Sequence, residues 1–169
     1  LVAVDGVAPF RSNRVVVWVV LALVVLIAVV AGQQAGQVRG MWYANLGAVE
    51  QARVELGAYD QWRADERSLD AVRREEDLSR AVRLLEKAVS EDPAQVTAQQ
   101  RLAEIQLARA EYSEGLGATE ALWAAGNRDS VTRLLYGDAL VAHGRTEQAV
   151  DVVRGVPWAA FRLLGQMWV

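Results

Sequence analysis

The stretch DLSRAVRLLEKAVSEDP, residues 77–93, decides the reading of this chain. Asp77 is placed to cap the start of a helix whose Leu78, Ala81, Val82, Leu85, Ala88 and Val89 fall on one apolar stripe. Asp92 and Pro93 close it, because proline offers no backbone donor and restricts the residue before it. The opposite face is charged, so the stripe must be covered by another helix. From Arg39 onward the composition stays rich in Ala, Leu, Glu, Gln and Arg, with Pro93 alone before Pro157 and no run of alternating β-branched residues. That is helical composition throughout.

Working outward, Ala81, Leu85, Ala88 and Pro93 match the second half of the tetratricopeptide repeat pattern, in which helix pairs recur at about 34 residues. One repeat length on, Leu102 and Ala103 stand at the family's Leu-Gly pair and Tyr112 at an aromatic turn position. A further repeat brings Tyr136 and Gly137 to the pair, Leu140 to the next packing position, Gly144 to the turn and Ala149 to the helix crossing. Phe161, Leu164, Gly165 and Trp168 recover the first-helix spacing again, after an early Pro157. Residues 62–169 thus resemble this family. Departures are Gly115, Thr119 and Asn127, which replace its small, bulky and proline residues. Tyr43, Leu46 and Gly47 also resemble a first helix, whereas residues 51–76 depart from the pattern and alternate in charge.

Residues 15–38 hold no charged side chain, and 15–31 are almost wholly Val, Leu, Ile and Ala with Trp18. A helix of roughly 20 residues crosses about 30 Å of hydrocarbon, where only a helix pairs all its own backbone groups. A cleaved signal peptide is the rival reading, but its apolar core runs to about 7–15 residues, and this one is longer. Arg11 and Arg14 outweigh Asp5 in the short amino-terminal flank, which therefore faces the cytoplasm. Trp18 and the Trp42, Tyr43 pair are spaced to mark the two interfaces. Ala28, Gly32, Gly36 and Gly40 form a small-residue face of the kind through which membrane helices pack. Glycines that merely loosen the helix would give the same row.

The expected fold is all-α: one amino-terminal transmembrane helix followed by a tetratricopeptide-like α-solenoid. Its segments are a cytoplasmic stretch 1–14, the span 15–38, a long linking and capping helix 39–76, and repeats over 77–169. The pattern stops at Val169 inside a fresh repeat, so more repeats or a partner are expected beyond it.

Chemistry is scarce. The net charge is −3, from 18 Lys+Arg and 21 Asp+Glu, which gives no basic surface for nucleic acid. Cysteine is absent, which excludes disulfides, thiolate metal sites and Cys nucleophiles. The single histidine, His143, precedes Gly144 at a helix end, where the dipole favours a cation. Glu75, Glu76 and Asp77 lie within two turns of Arg73, Arg74 and Arg80 and read as a salt-bridged face. Trp62, Trp123 and Trp158 read as packing residues. No catalytic residue, cofactor, metal or small-molecule substrate is expected.

The resemblance implies a concave groove lined by first helices, the surface this family uses for peptides or partner helices, with Gln99, Gln100, Glu104, Arg133 and Asp138 as candidate lining residues. The expected partners are other protein subunits, membrane proteins among them, and the bilayer. The expected role is a scaffold or accessory subunit of a bacterial plasma-membrane complex, with the repeats on the outer side. Alternatives are a translocon-associated chaperone-like protein, which binds many clients transiently, and a peripheral subunit of a respiratory or photosynthetic complex, held at fixed stoichiometry.

Overall fold

The computed structural model describes residues 14–58, 68–157 and 159. Among them every element is a helix: α1 (Arg14–Gly57), α2 (Leu69–Glu75), α3 (Ser79–Glu91), α4 (Val96–Ala108), α5 (Tyr112–Ala124), α6 (Ser130–Ala142) and α7 (Thr146–Val153). The chain divides into two compact units, 1–35 and 36–169. In the first, every side chain described from Val17 to Gly32 is exposed, large apolar ones included.

The second unit is a series of helical hairpins. Small residues recur where helices cross: Gly47, Ala103 and Gly137 on first helices, and Ala81, Gly115 and Ala149 on second helices, are all buried. Leu85, Thr119 and Val153 repeat one packing position, and Ala88, Leu122 and Val156 another, each buried and each 34 residues from the next. α4 pairs with α5 and α6 with α7, while α3 packs on α4 and α5 on α6. Each pair covers the apolar stripe that its neighbour could not bury alone.

α1 itself covers α3. Its inner face, at spacings of three and four, carries Gly36, Gly40, Ala44, Gly47 and Gln51, all buried. A Cβ on Gly36 would lie 2.9 Å from the Glu91 carbonyl oxygen, on Gly40 2.6 Å from Asp92 Cβ, and on Gly47 2.7 Å from Leu85 Cγ. Contacts that climb α1 descend α3, so the two helices run antiparallel. The expectation that Gly36 and Gly40 pack against a membrane helix is thereby corrected: their lost Cβ atoms make room for the backbone of α3 within the repeat domain. Gly32 has nothing within 4 Å, and Ala28 is exposed. Tyr43 is half-buried against the Ala44, Leu85, Ala88 cluster with Lys87 Nζ 5.2 Å above its ring.

The segment 39–76, expected as one long helix, holds two among its described residues. α1 ends at Gly57, and α2 restarts at Ser68, whose Oγ accepts the Ala71 amide at 3.2 Å as an amino-terminal cap. Consequently 56 residues separate Gly47 from Ala103, against 34 between Ala103 and Gly137. The first hairpin carries an insertion, with α2 inside it. The cap of α3 falls at Leu78 rather than at Asp77, which stands one residue earlier and whose Oδ1 accepts the Ser79 amide at 2.9 Å.

The departures at Gly115 and Thr119 have a local explanation. Leu107 Cδ2 fills the space at Gly115, 2.8 Å from where a Cβ would stand. Thr119 is fully buried, and its hydroxyl donates to the Gly115 and Leu116 carbonyls at 2.9 and 3.0 Å.

The turns within hairpins reuse one geometry. At the end of α6, Gly144 has φ +71° and the Arg145 amide bonds the Leu140 carbonyl at 2.8 Å. At the end of α4 the same place is taken by Ala110, with φ +62° and the Glu111 amide on the Gln106 carbonyl at 2.9 Å. A left-handed alanine costs roughly 1–2 kcal/mol, part of which glycine returns through its greater unfolded freedom. Ala110→Gly should therefore stabilise the domain by about 0.5–1 kcal/mol in urea unfolding; a loss of stability would contradict the turn geometry. Gly40→Leu should destabilise it by about 2 kcal/mol or more through overpacking, whereas Gly32→Leu should leave its unfolding midpoint unchanged.

Candidate protein-binding face of the repeat domain

The first helices of the hairpins carry the five candidate groove residues, and the fold already uses their polar ends. Gln99 Nε2 donates to the Pro93 carbonyl at 2.7 Å, tying α4 to the turn before it. Gln100 Nε2 donates to both Asp129 carboxylate oxygens at 3.0 Å and to Thr132 Oγ1 at 2.8 Å, joining α4 to the start of α6. Arg133 Nε donates to the Val152 carbonyl at 2.7 Å, and its Nη2 to the Arg154 carbonyl, which satisfies the end of α7. Asp138 is only 3 % exposed. An open groove lined by Asp138 is thus a corrected expectation, and Gln100 and Arg133 act first as links between helices.

Asp129 caps α6 by accepting the Thr132 amide at 2.8 Å. Desolvation works against its charge, but the bonds from the Thr132 amide, Gln100, Asn127 and the Thr132 hydroxyl outweigh it and hold the carboxyl below its ordinary range.

Glu104 belongs to a larger polar cluster among α1, α2 and α4. Arg73 Nε meets Glu55 Oε1 at 2.7 Å, and its Nη groups reach Asp70 at 3.2 Å and Glu104 at 3.4 Å. Glu55 also accepts from Gln51 Nε2 at 2.8 Å, and Gln51 Oε1 accepts from Arg101 Nη1 at 3.1 Å. Burial disfavours the Arg73 charge; the Glu55 hydrogen bond and the Glu104, Glu55 and Asp70 charges prevail and raise its pKa above the usual arginine value. Backbone links close the contact: Arg74 Nε donates to the Ala108 carbonyl at 3.0 Å, and Arg109 Nε to the Arg73 carbonyl at 3.3 Å. α2 therefore sits on α4 beside Glu104, at one end of the expected binding face.

This cluster escaped the sequence reading. The available signal was Gln51, a polar residue in phase with Ala44, Gly47 and Val54 on the inner face of α1. A glutamine there needs a partner, and the partner lies 50 residues away in sequence.

The remaining candidates fall in structural places. His143 caps the end of α6, with Nδ1 3.0 Å from the Ala139 carbonyl oxygen. Trp123 lies between α5 and α6, 5.3 Å from the Tyr136 ring, with the Arg128 guanidinium 3.5 Å above its own ring. Trp62 and Trp158 lie outside the described residues. Among the described residues no group of three or more metal-ligating side chains comes together.

The helices stack as hairpins with small residues at the crossings, and the tetratricopeptide repeat family matches residues 72–131, from α2 through α5 to the start of α6. No curated protein and no solved structure matches the chain. Tetratricopeptide repeats generally mediate protein–protein interaction and are typically not enzymes. Among the described residues one helix, α1, is by length and composition long and apolar enough to cross a membrane.

Both Arg73 and Glu55 side chains are only 13 % exposed, so removing one strands the other. Arg73→Ala should lower the unfolding free energy by about 2–4 kcal/mol, while Arg53→Ala, whose own side chain is largely exposed and whose partner Glu50 keeps Arg80, should change it by less than about 1 kcal/mol. Equal effects in urea titrations would refute the structural weight assigned to the cluster.

Proposed function

We propose that this chain is a single-pass membrane protein whose repeat domain binds other proteins, serving as a scaffold or accessory subunit of a membrane complex. The carrying observation is that the apolar residues of α1 from Val17 to Val30 are exposed on every side of the helix. In water such a helix would be unstable; in hydrocarbon the same side chains are solvated and its backbone is fully paired. Arg11 and Arg14 orient it with the amino terminus in the cytoplasm and the repeats outside, in a bacterial plasma membrane. The match over residues 72–131 supports protein binding as the domain's work.

Tethering raises the effective concentration of any partner in the same membrane, so modest contacts on the first helices suffice. The full chain should remain in the membrane pellet after alkaline carbonate washing, and deletion of residues 15–35 should release a folded helical domain into the soluble fraction. Alkaline phosphatase fused after residue 157 should be active, as on the outer side. Extraction of the intact chain by carbonate, or an inactive fusion, would overturn the anchor or its orientation respectively.

A further inference from the structure

The outward face of α1 in the repeat unit is as apolar as the inward one. Val38, Trp42, Asn45, Val49, Ala52 and Leu56 follow one another at intervals of four and three residues, a seam that repeats every 3.5 residues, and Met41 and Leu46 flank it. Val38 is 65 %, Trp42 64 %, Val49 57 % and Leu56 74 % exposed. A helix packed on one side ordinarily turns charge to water on the other. Here the charged neighbours Arg39, Glu50 and Arg53 lie off the seam, and Asn45 is its one polar member.

We propose that this seam docks a second copy of the chain, parallel and in register, with α1 against α1. Six large apolar side chains, Val38, Met41, Trp42, Leu46, Val49 and Leu56, are more than a third exposed. At about 100 Å² each they would bury roughly 600 Å² per copy and about 1,200 Å² in a pair, the lower bound of a specific interface. Asn45 selects the occupant. Its amide both donates and accepts, so two copies related by a two-fold axis satisfy one another, whereas an acyl chain or an apolar helix would leave it unpaired. A polar side chain at one seam position also fixes register. Parallel orientation rests on the anchored reading, since copies fixed in one membrane by the same helix point the same way.

The chain has no cysteine, so single substitutions report directly. Val38→Cys, Asn45→Cys, Val49→Cys and Leu56→Cys should each give a disulfide-linked dimer on mild oxidation in membranes, and Glu86→Cys on α3 should not. In detergent the native chain should sediment as two copies, and Val49→Glu should raise the dissociation constant by about ten-fold or more with an unchanged helical spectrum. Absence of seam crosslinks, crosslinking equally strong at Glu86→Cys, or a native monomer at all concentrations overturns the pairing. Carbonate washing of the same membranes reads the anchor separately, so the two failures are distinguishable.

Discussion

The backbones of α1 and α3 approach so closely at Gly36, Gly40 and Gly47 that any side chain there would enter a carbonyl, a Cβ or a leucine of α3. The rest of the repeat unit depends on this contact. α3 bears Ala81, Leu85 and Ala88 on its buried stripe, and these need a cover on the side away from α4. α1 supplies it with almost no side-chain volume of its own, so dispersion between backbones and alanines does the packing that larger side chains do in the later hairpins. Gln51 and Glu55 then extend the contact from α3 to α4 and α2 through Arg101 and Arg73.

Polar side chains in this domain work mainly as links between helix ends and neighbouring helices. Gln100 joins a cap to a neighbour, Arg133 occupies the carbonyls that α7 leaves unpaired, and Arg74 and Arg109 exchange bonds with opposite backbones. Each satisfies a group that the end of a helix cannot satisfy internally. The first-helix face is held in shape by these residues, with their polar ends already oriented.

Much of this was legible from residues alone, wherever one physical signal was local. The helix over 79–91 announces itself through Asp77, its stripe and Pro93, and the 34-residue recurrence places Ala103, Gly137 and Ala149 at crossings. The glycines of α1 were legible as a packing face but not as to what they pack against, because a residue without a side chain states no chemical preference. The partners of the groove candidates were hidden for a different reason. Helical phase puts Gln100 and Arg133 on a face, but the carbonyls and caps they reach belong to other elements at distances in sequence of 19 to 32 residues. The helix start at Ser68 was hidden by helix-compatible composition.

The first hairpin is joined over a long reach: Gly47 meets Leu85, 38 positions on, while Leu107 meets Gly115 only 8 positions on. Loop closure is entropically dearer for the longer connection, and local contacts form faster. During synthesis the inner face of α1 is therefore complete long before anything exists to cover it. The later hairpins close over short spans, whereas α1 must wait for α3 across the whole insertion.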